Sequence, residues 1–331
     1  MVGTKEVWPQ SAMTIIDYSG AVRGMVGGIG EKAGDLELNR AAQSPRQVGS
    51  TMKPIAAYAL GIDNGLIDYS TMIEDSPALP RNTARRGSNA VNDWPSNFSK
   101  TYRKTGMPVV SAVAESTNTV AVKVGMRVGG EPRFAFLRDP LEISSLIGSE
   151  ESPNDVDYAP LVLGSLTHGI TTTELAGAYR MFGNSGQFNS VHTYTQVLDS
   201  SGNIVLQPAR TSVQAISTEA AYVMNRMLYT VLHTGTAPGV SSTANRMAPE
   251  GEMDAVAKTG TTSDDKDRWC LGLTPYYVTA VWWGYDNNHE LRWSPIATGN
   301  PPPLLWKTVM EAVQADKEYK EFPEKPDGVE E

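Results

Sequence analysis

The chain of 331 residues is short of cysteine, histidine and positive charge, and each shortage removes a class of protein. A single cysteine, Cys270, closes no internal disulfide and builds no thiolate metal site. The four histidines, His168, His192, His233 and His289, lie in no recognisable motif, which disfavours a Ser-His-Asp triad and leaves surface or structural roles. No His/Asp/Glu cluster has metal-ligand spacing, so neither a metal nor a cofactor is expected. Lys and Arg number 28 against 37 Asp and Glu, a net charge of −9. Phosphate binding wants clustered cations, so nucleic acid is not an expected partner. The small group Arg81, Arg85 and Arg86 reads as a solvated loop. No apolar run approaches the roughly 18 residues that span a bilayer. The opening Met1-Val2-Gly3-Thr4-Lys5-Glu6 has no signal-peptide apolar region. Taken as written the chain is soluble and without an address. It reads equally as a domain cut from a longer protein, with Met1 as an added start.

An apolar content of 40% and a charged content of 20% describe an ordinary globular chain with a sizeable core. Two strands, Ala12 to Asp17 and Ala21 to Val26, flank a Ser19-Gly20 turn and predict a hairpin. Gly27-Gly28-Ile29-Gly30 has no helix after it and reads as a loop, not a phosphate cradle. Residues 76 to 106 form a long irregular stretch. Pro108 to Arg127 is helical with a break around Ser116-Thr117-Asn118, and helices also cover Arg133 to Leu137 and Tyr158 to Leu166. Thr171 and Glu174 make a capping box for the helix that follows. Thr193 to Leu198 and Ile204 to Leu206 form a hairpin, and Ser217 caps a helix running to His233. Asp254 to Ala257, Trp269 to Leu273 and Val278 to Trp283 are strands, Leu304 to Gln314 is a last helix, and the charged tail from Lys317 is expected to fray. Strands joined by hairpins, with a long helical insert between them, predict an α+β fold with an antiparallel sheet.

The most informative stretch is Gly49-Ser50-Thr51-Met52-Lys53-Pro54. The apolar Ile55 to Leu60 after it predicts a buried helix that starts at or next to Ser50 and stops at Gly61. Residues i and i+3 share a face, about 4.5 Å apart along the axis, so Lys53 stands one turn from Ser50. Desolvation and neighbouring cations push an amine toward its neutral form, and a neutral amine beside a hydroxyl is a general base beside a nucleophile. The Ser50 N–H, at the positive helix end, can face an oxyanion. Read blandly, Ser50 is a cap and Lys53 a solvated first-turn residue. Ser116-Thr117-Asn118 adds a hydroxyl and an amide from one turn, and Lys258-Thr259-Gly260-Thr261-Thr262 adds an ammonium and hydroxyls beside a strand. Decoy copies occur at Ser152-Pro153-Asn154, Ser201-Gly202-Asn203 and Lys104-Thr105-Gly106, but these lie in polar loops or a turn.

The ordered trio Ser50/Lys53, Ser116/Asn118 and Lys258/Thr259/Gly260 is the one used by penicillin-binding proteins and serine β-lactamases. From about Met13 to Val309 the chain resembles the transpeptidase domain of class A (bifunctional) penicillin-binding proteins. The matching pieces include the Asp17 to Gly28 hairpin, Asn39-Arg40-Ala41, Trp94-Pro95 with Asn97, Glu174-Leu175-Ala176 with Ala178-Tyr179, and Gly235-Thr236-Ala237. Further on they include Asp267, Trp269, Gly272, Thr274-Pro275 and Val281-Trp282 with Gly284. Val48 departs from a usual proline, Met52 from a common phenylalanine, and Cys270, read as a core thiol, from an aromatic. Nothing in the chain resembles a glycosyltransferase domain or a membrane anchor.

The resemblance implies a penicillin-binding/serine β-lactamase-like fold: an antiparallel sheet flanked by helices, with a helical region inserted roughly over 62–185. The transpeptidase unit would cover 1–316, followed by a tail over 317–331. It implies a serine D,D-transpeptidase that crosslinks peptidoglycan stem peptides ending in D-Ala-D-Ala through an acyl-enzyme on Ser50 and is inhibited by β-lactams. Lys53 would take the Ser50 proton, and Ser116 with Lys258 would form a proton path. The N–H groups of Ser50 and Thr261 would form the oxyanion hole. Thr259 and Thr261 would hold the substrate carboxylate, Asn118 the acyl side-chain amide, and Gly260 would leave room for a ligand along the strand. Such proteins work outside the cytoplasm on a membrane anchor, with other cell-wall synthesis proteins as possible partners. A serine β-lactamase is the alternative, needing a modified lysine or a positioned carboxylate, for which Glu142, Glu150, Glu151 and Glu174 lie in the right part of the chain. A non-enzymatic β-lactam or peptidoglycan sensor is another.

Overall fold

The structure is a computed structural model that describes residues 8–32, 34–79, 93–237, 253–291 and 300–330. The opening Met1 to Glu6 and the Arg81, Arg85 and Arg86 cluster lie outside them.

A five-stranded antiparallel sheet is built from both ends of the chain. Its strands are β1 (Gln10–Asp17), β2 (Val22–Val26), β9 (Val256–Thr261), β10 (Asp267–Leu273) and β11 (Tyr277–Gly284), in the order β2-β1-β11-β10-β9. Two-residue alternation assigns the faces. Thr14, Ala280, Leu271 and Lys258 are successive cross-strand partners, so they share one face; Ile15, Thr279, Gly272 and Ala257 share the other. Helix α7 (Thr172–Tyr179) covers the first face, where the Thr172 and Thr14 hydroxyls meet at 2.8 Å. Helix α9 (Pro301–Val313) covers the second, with Thr279 Oγ1 donating to Met310 Sδ. Trp306 fills the space above Gly272 on that face, where a Cβ would come within 2.0 Å of its ring.

Between the sheet halves come α1 (Arg40–Gln43), α2 (Ala59–Asp63), β3 (Met72–Glu74) paired with β4 (Gly106–Pro108), α3 (Val109–Ala114), α4 (Asn118–Val128), α5 (Gly130–Arg138) and α6 (Tyr158–Leu163). Small hairpin strands follow: β5 (Gln187–Asn189) pairs β8 (Ser212–Gln214), and β6 (Val197–Leu198) pairs β7 (Ile204–Leu206). Helix α8 (Thr218–His233), capped by Ser217 as expected, then lies against β9. The capping box at Thr171 and Glu174 is present in full.

The helix after Val48 is the buried axis of the molecule, as its all-round apolar sequence predicts. Met52, Ile55, Ala56, Ala57, Tyr58 and Ala59 have no exposed surface. The helical run opens at Gly49, next to Ser50 as expected, with Val48 outside it and Ser50 within the first turn. Two local expectations need correction. Gly61 does not stop the helix, which runs to Asp63; a Cβ at Gly61 would strike Val124 at 2.8 Å and Ile67 at 3.0 Å, so its bareness serves packing. The tail after Lys317 does not fray: Phe322 is buried, the Arg226 guanidinium stacks over its ring, and Tyr276 donates to the Glu318 carbonyl.

Candidate active site

The turn Gly49–Thr51 delivers Ser50, and the residues after it set the helix geometry. Pro54 has no N–H for the Ser50 carbonyl, and the helix loosens over Pro54–Tyr58 so that Ala59 N–H donates to Pro54 O, five residues back. Side chains brace the turn from several directions. Tyr179 donates to Thr51 O (2.5 Å), Thr51 Oγ1 to Val48 O (2.8 Å) and Trp269 Nε1 to Gln47 O (2.8 Å). Ser50 itself is half-buried, and among the described residues no hydrogen bond engages its hydroxyl.

Strand β9 is seated directly on this turn. A Cβ at Gly260 would meet Val48 O at 2.5 Å and Thr51 Cγ2 at 2.9 Å, and one at Gly49 would meet Thr261 O at 2.5 Å. Gly49 has φ +56°, which glycine alone adopts without strain. The sequence reading has Gly260 leaving room for a ligand; in the structure that room is filled by the turn itself. The strand also starts later than Asp254 and carries Lys258, Thr259, Gly260 and Thr261 within it. Alternation directs Lys258 and Gly260 toward the turn, and the Thr259 hydroxyl lies 2.7 Å from that of Thr236.

Ser116 completes the group. Thr117 N–H donates to Ala112 O and Ser116 N–H to Val113 O, the two bonds of a Schellman helix end with Ser116 at the left-handed position, φ +58°. This reversal presents both Ser116 oxygens to two buried lysine amines. Lys53 Nζ donates to Ser116 O (2.6 Å) and Asn118 Oδ1 (2.5 Å) and lies 3.3 Å from Ser116 Oγ. Lys258 Nζ donates to Ser116 Oγ (2.7 Å) and Thr259 O (2.9 Å). Neither lysine has exposed surface. Burial, reinforced by the Lys258 charge, holds Lys53 well below the ordinary lysine range. Burial brings Lys258 down to about 7, against a smaller opposing pull from Cys270. The structure thus gathers Lys53, Ser116, Asn118 and Lys258 into one hydrogen-bonded group, with Ser50 one turn away and Thr261 backed onto Gly49.

The other titratable candidates lie apart. Glu174 serves its capping box and also accepts from Ser144. Glu142 accepts from Ser190 and Thr211. Among the described residues no carboxylate hydrogen-bonds to Ser50, Lys53, Ser116 or Lys258. His192 contacts Ser190 O, His233 stacks on Tyr229 and His289 meets Tyr285. No metal-ligating cluster is found among the described residues.

The family model for the penicillin-binding protein transpeptidase domain matches residues 12–288. The chain belongs to this family. A relative of this transpeptidase domain is penicillin-binding protein 1A of Clostridium perfringens, 32% identical over 330 residues that make up 97% of this chain and 37% of the relative. The chain thus spans just over a third of the length of such curated relatives. Among solved structures, penicillin-binding protein 1A from Haemophilus influenzae has a similar fold, with a TM-score of 0.77 at 22% identity, covering 96% of this chain and 49% of that one. The PonA1 protein from Mycobacterium tuberculosis in complex with penicillin V gives 0.74 at 21%, covering 96% and 81%. The α+β transpeptidase fold expected from the sequence is therefore the fold observed. Within this domain, sequence reasoning assigns no role to Thr236, Tyr179, Asn97 or Asp75, all of which support the site; three of them lie within or beside matched motifs, and Asp75 carries no local signal.

Proposed function

We propose that this chain is a serine D,D-transpeptidase domain that crosslinks peptidoglycan stem peptides and is acylated by β-lactams. The observation that carries the reading is one hydroxyl, Ser116, held between two buried lysines, one of which stands a helical turn from Ser50.

In the first half-reaction, Ser50 Oγ bonds to the carbonyl carbon between the terminal D-alanines while Lys53, whose ammonium form burial disfavours, takes the hydroxyl proton. The C–N bond breaks, and D-alanine leaves as an amine that receives its proton through Ser116 and Lys258. The amine of a second stem peptide then attacks the ester carbon, giving up a proton, and Ser50 is regenerated. A β-lactam follows the first half-reaction, but its leaving nitrogen stays tethered to the acyl group. The N–H groups of Ser50 and Thr261, on the turn and on the strand seated against it, would stabilise the oxyanion. The outer edge of β9 has no partner strand among the described residues, which suits an extended peptide laid along it. Thr259 and Thr261 would hold its carboxylate. Asn118 Nδ2 has two hydrogens: Ser96 O takes one, and the other would serve the acyl amide. Peptidoglycan lies outside the cytoplasm, so this domain would act there, tethered within a longer protein. A β-lactamase that deacylates through a carboxylate-activated water is not favoured, because Glu174 and Glu142 are engaged elsewhere and, among the described residues, no carboxylate bonds to the site.

The test is the intact mass of the protein after mixing with benzylpenicillin, followed for hours beside Ser50→Ala. A lasting adduct on the parent and none on the variant is the expected result. An undiminished adduct on Ser50→Ala would refute the assignment, and rapid release from the parent would promote the β-lactamase.

A further inference from the structure

Helix α4 begins immediately after the strained Ser116, yet Thr117, the residue that opens it, makes no side-chain cap. The first N–H groups of a helix need acceptors. Here they find one in a segment some twenty residues upstream. Asn97 Oδ1 accepts from the N–H groups of Asn118 (3.1 Å) and Thr119 (3.3 Å). The other end of the same amide donates to Asp75 Oδ1 (2.7 Å) and Thr101 O (3.0 Å). Asp75 Oδ1 also accepts from the Thr119 hydroxyl (2.6 Å), and its Oδ2 accepts from Arg103 N–H (2.9 Å). The neighbouring Ser96 carbonyl takes Asn118 Nδ2 at 2.7 Å, which turns Oδ1 of that amide toward Lys53. Asp75, Asn97 and Thr119 are 3%, 6% and 0% exposed, so these bonds are made away from competing water.

We propose that Asn97 is a positioning residue for the acylation step. Anchored by Asp75, it fixes the Ser116–Asn118 turn so that the Asn118 oxygen meets Lys53 and the Ser116 hydroxyl stays between the two lysines. It touches no reacting atom. Its effect arises because a shift of about 1 Å in a proton-transfer group can cost on the order of a hundredfold in rate. The proposal rests on the transpeptidase reading above.

The experiment measures acylation of the full chain by benzylpenicillin, separating the dissociation constant of the initial complex from the first-order acylation constant, with Ser50→Ala as blank. Failure of the parent to acylate at Ser50 would overturn the transpeptidase reading and this inference with it. If the parent does acylate, Asn97→Ala is expected to lower the acylation constant at least tenfold while the dissociation constant moves less than about threefold. A merely structural role would not produce that split. An Asn97→Ala protein that acylates within twofold of the parent, or loses only affinity, would overturn the inference alone.

If Asn97→Ala does not fold, an exchange of the two side chains supplies the test. Asn97→Asp alone sets two carboxylates against each other and should be slow. Combined with Asp75→Asn, the new amide at position 75 donates to the new carboxylate at position 97 and to the Thr119 hydroxyl, and its oxygen still accepts from Arg103, while the bond to Thr101 O stays lost. The double variant is expected to recover part of the acylation constant lost by Asn97→Asp. A folded double variant as slow as the single would count against the positioning role.

Discussion

Ser116 occupies the left-handed position at which helix ends ordinarily place glycine, and it costs the backbone on the order of 1–2 kcal/mol to be there. The cost is tolerated because only a hydroxyl on that turn can lie between Lys53 and Lys258. Lys258 carries a related penalty, one that depends on pH. Its folded pKa is about 7, against an ordinary value of 10.5. Between those values the unfolded chain holds the proton and the folded chain does not, so stability rises with pH across the window and the penalty is fully present below it. Lys258→Met keeps the length of the side chain and removes the charge. Its stability relative to the parent should be greatest below about pH 7 and should decline as pH approaches 10, with acylation lost throughout. Urea unfolding of both proteins at several pH values measures this; parallel stability curves would show that Lys258 is not desolvated as described.

At the scale of elements, the site is a strand pressed against a helix turn through Gly49 and Gly260, neither of which carries a side chain. Gly260→Ala puts a Cβ within 2.5 Å of Val48 O and 2.9 Å of Thr51 Cγ2. The expected outcome is a loss of roughly 1–3 kcal/mol from overpacking. Acylation should slow at least tenfold as the Thr261 N–H moves away from Ser50. Unfolding and acylation measured on the same preparation check both, and a variant matching the parent in each would mean that β9 yields without disturbing the turn.

The sequence made part of this legible. The all-apolar run after Lys53 requires a buried helix, and the polar interruption at Ser116 requires a break between helices. Strand β9 was harder to bound, since Lys258 and Thr259 look solvated until Ser116 and Thr236, distant in the chain, supply their partners. Gly61 misleads because a glycine that ends a helix and one that admits Val124 look the same in one dimension. Asp75 was invisible for the same reason: its side-chain partners, Asn97, Arg103 and Thr119, lie 22 to 44 residues away.

The whole molecule is closed by its two ends. The first strand pairs with the last, and the tail beyond α9 runs back across α8, where Phe322 packs near Phe182, Ala221 and Asn225. Lys317 lies 5.6 Å over the Tyr276 ring and Lys320 lies 5.1 Å from it, holding the strap to the turn between β10 and β11. Phe322→Ala should cost roughly 3–5 kcal/mol of stability. Because the strap lies away from Ser116 and its lysines, the acylation constant of the folded variant should stay within twofold of the parent. A large loss of rate at full stability would mean that the tail communicates with the site.

Cys270 gives this architecture a built-in gauge. It is the only thiol in the chain, it has no exposed surface, and burial pushes its pKa up to about 12. It stands on β10 directly across from Thr259 and within the hydrophobic core, so a thiol reagent reaches it only when the packing over this part of the sheet opens. The rate at which the protein takes up an alkylating agent is therefore a clock for the opening of the core beside its own active site, read from one atom without any added label.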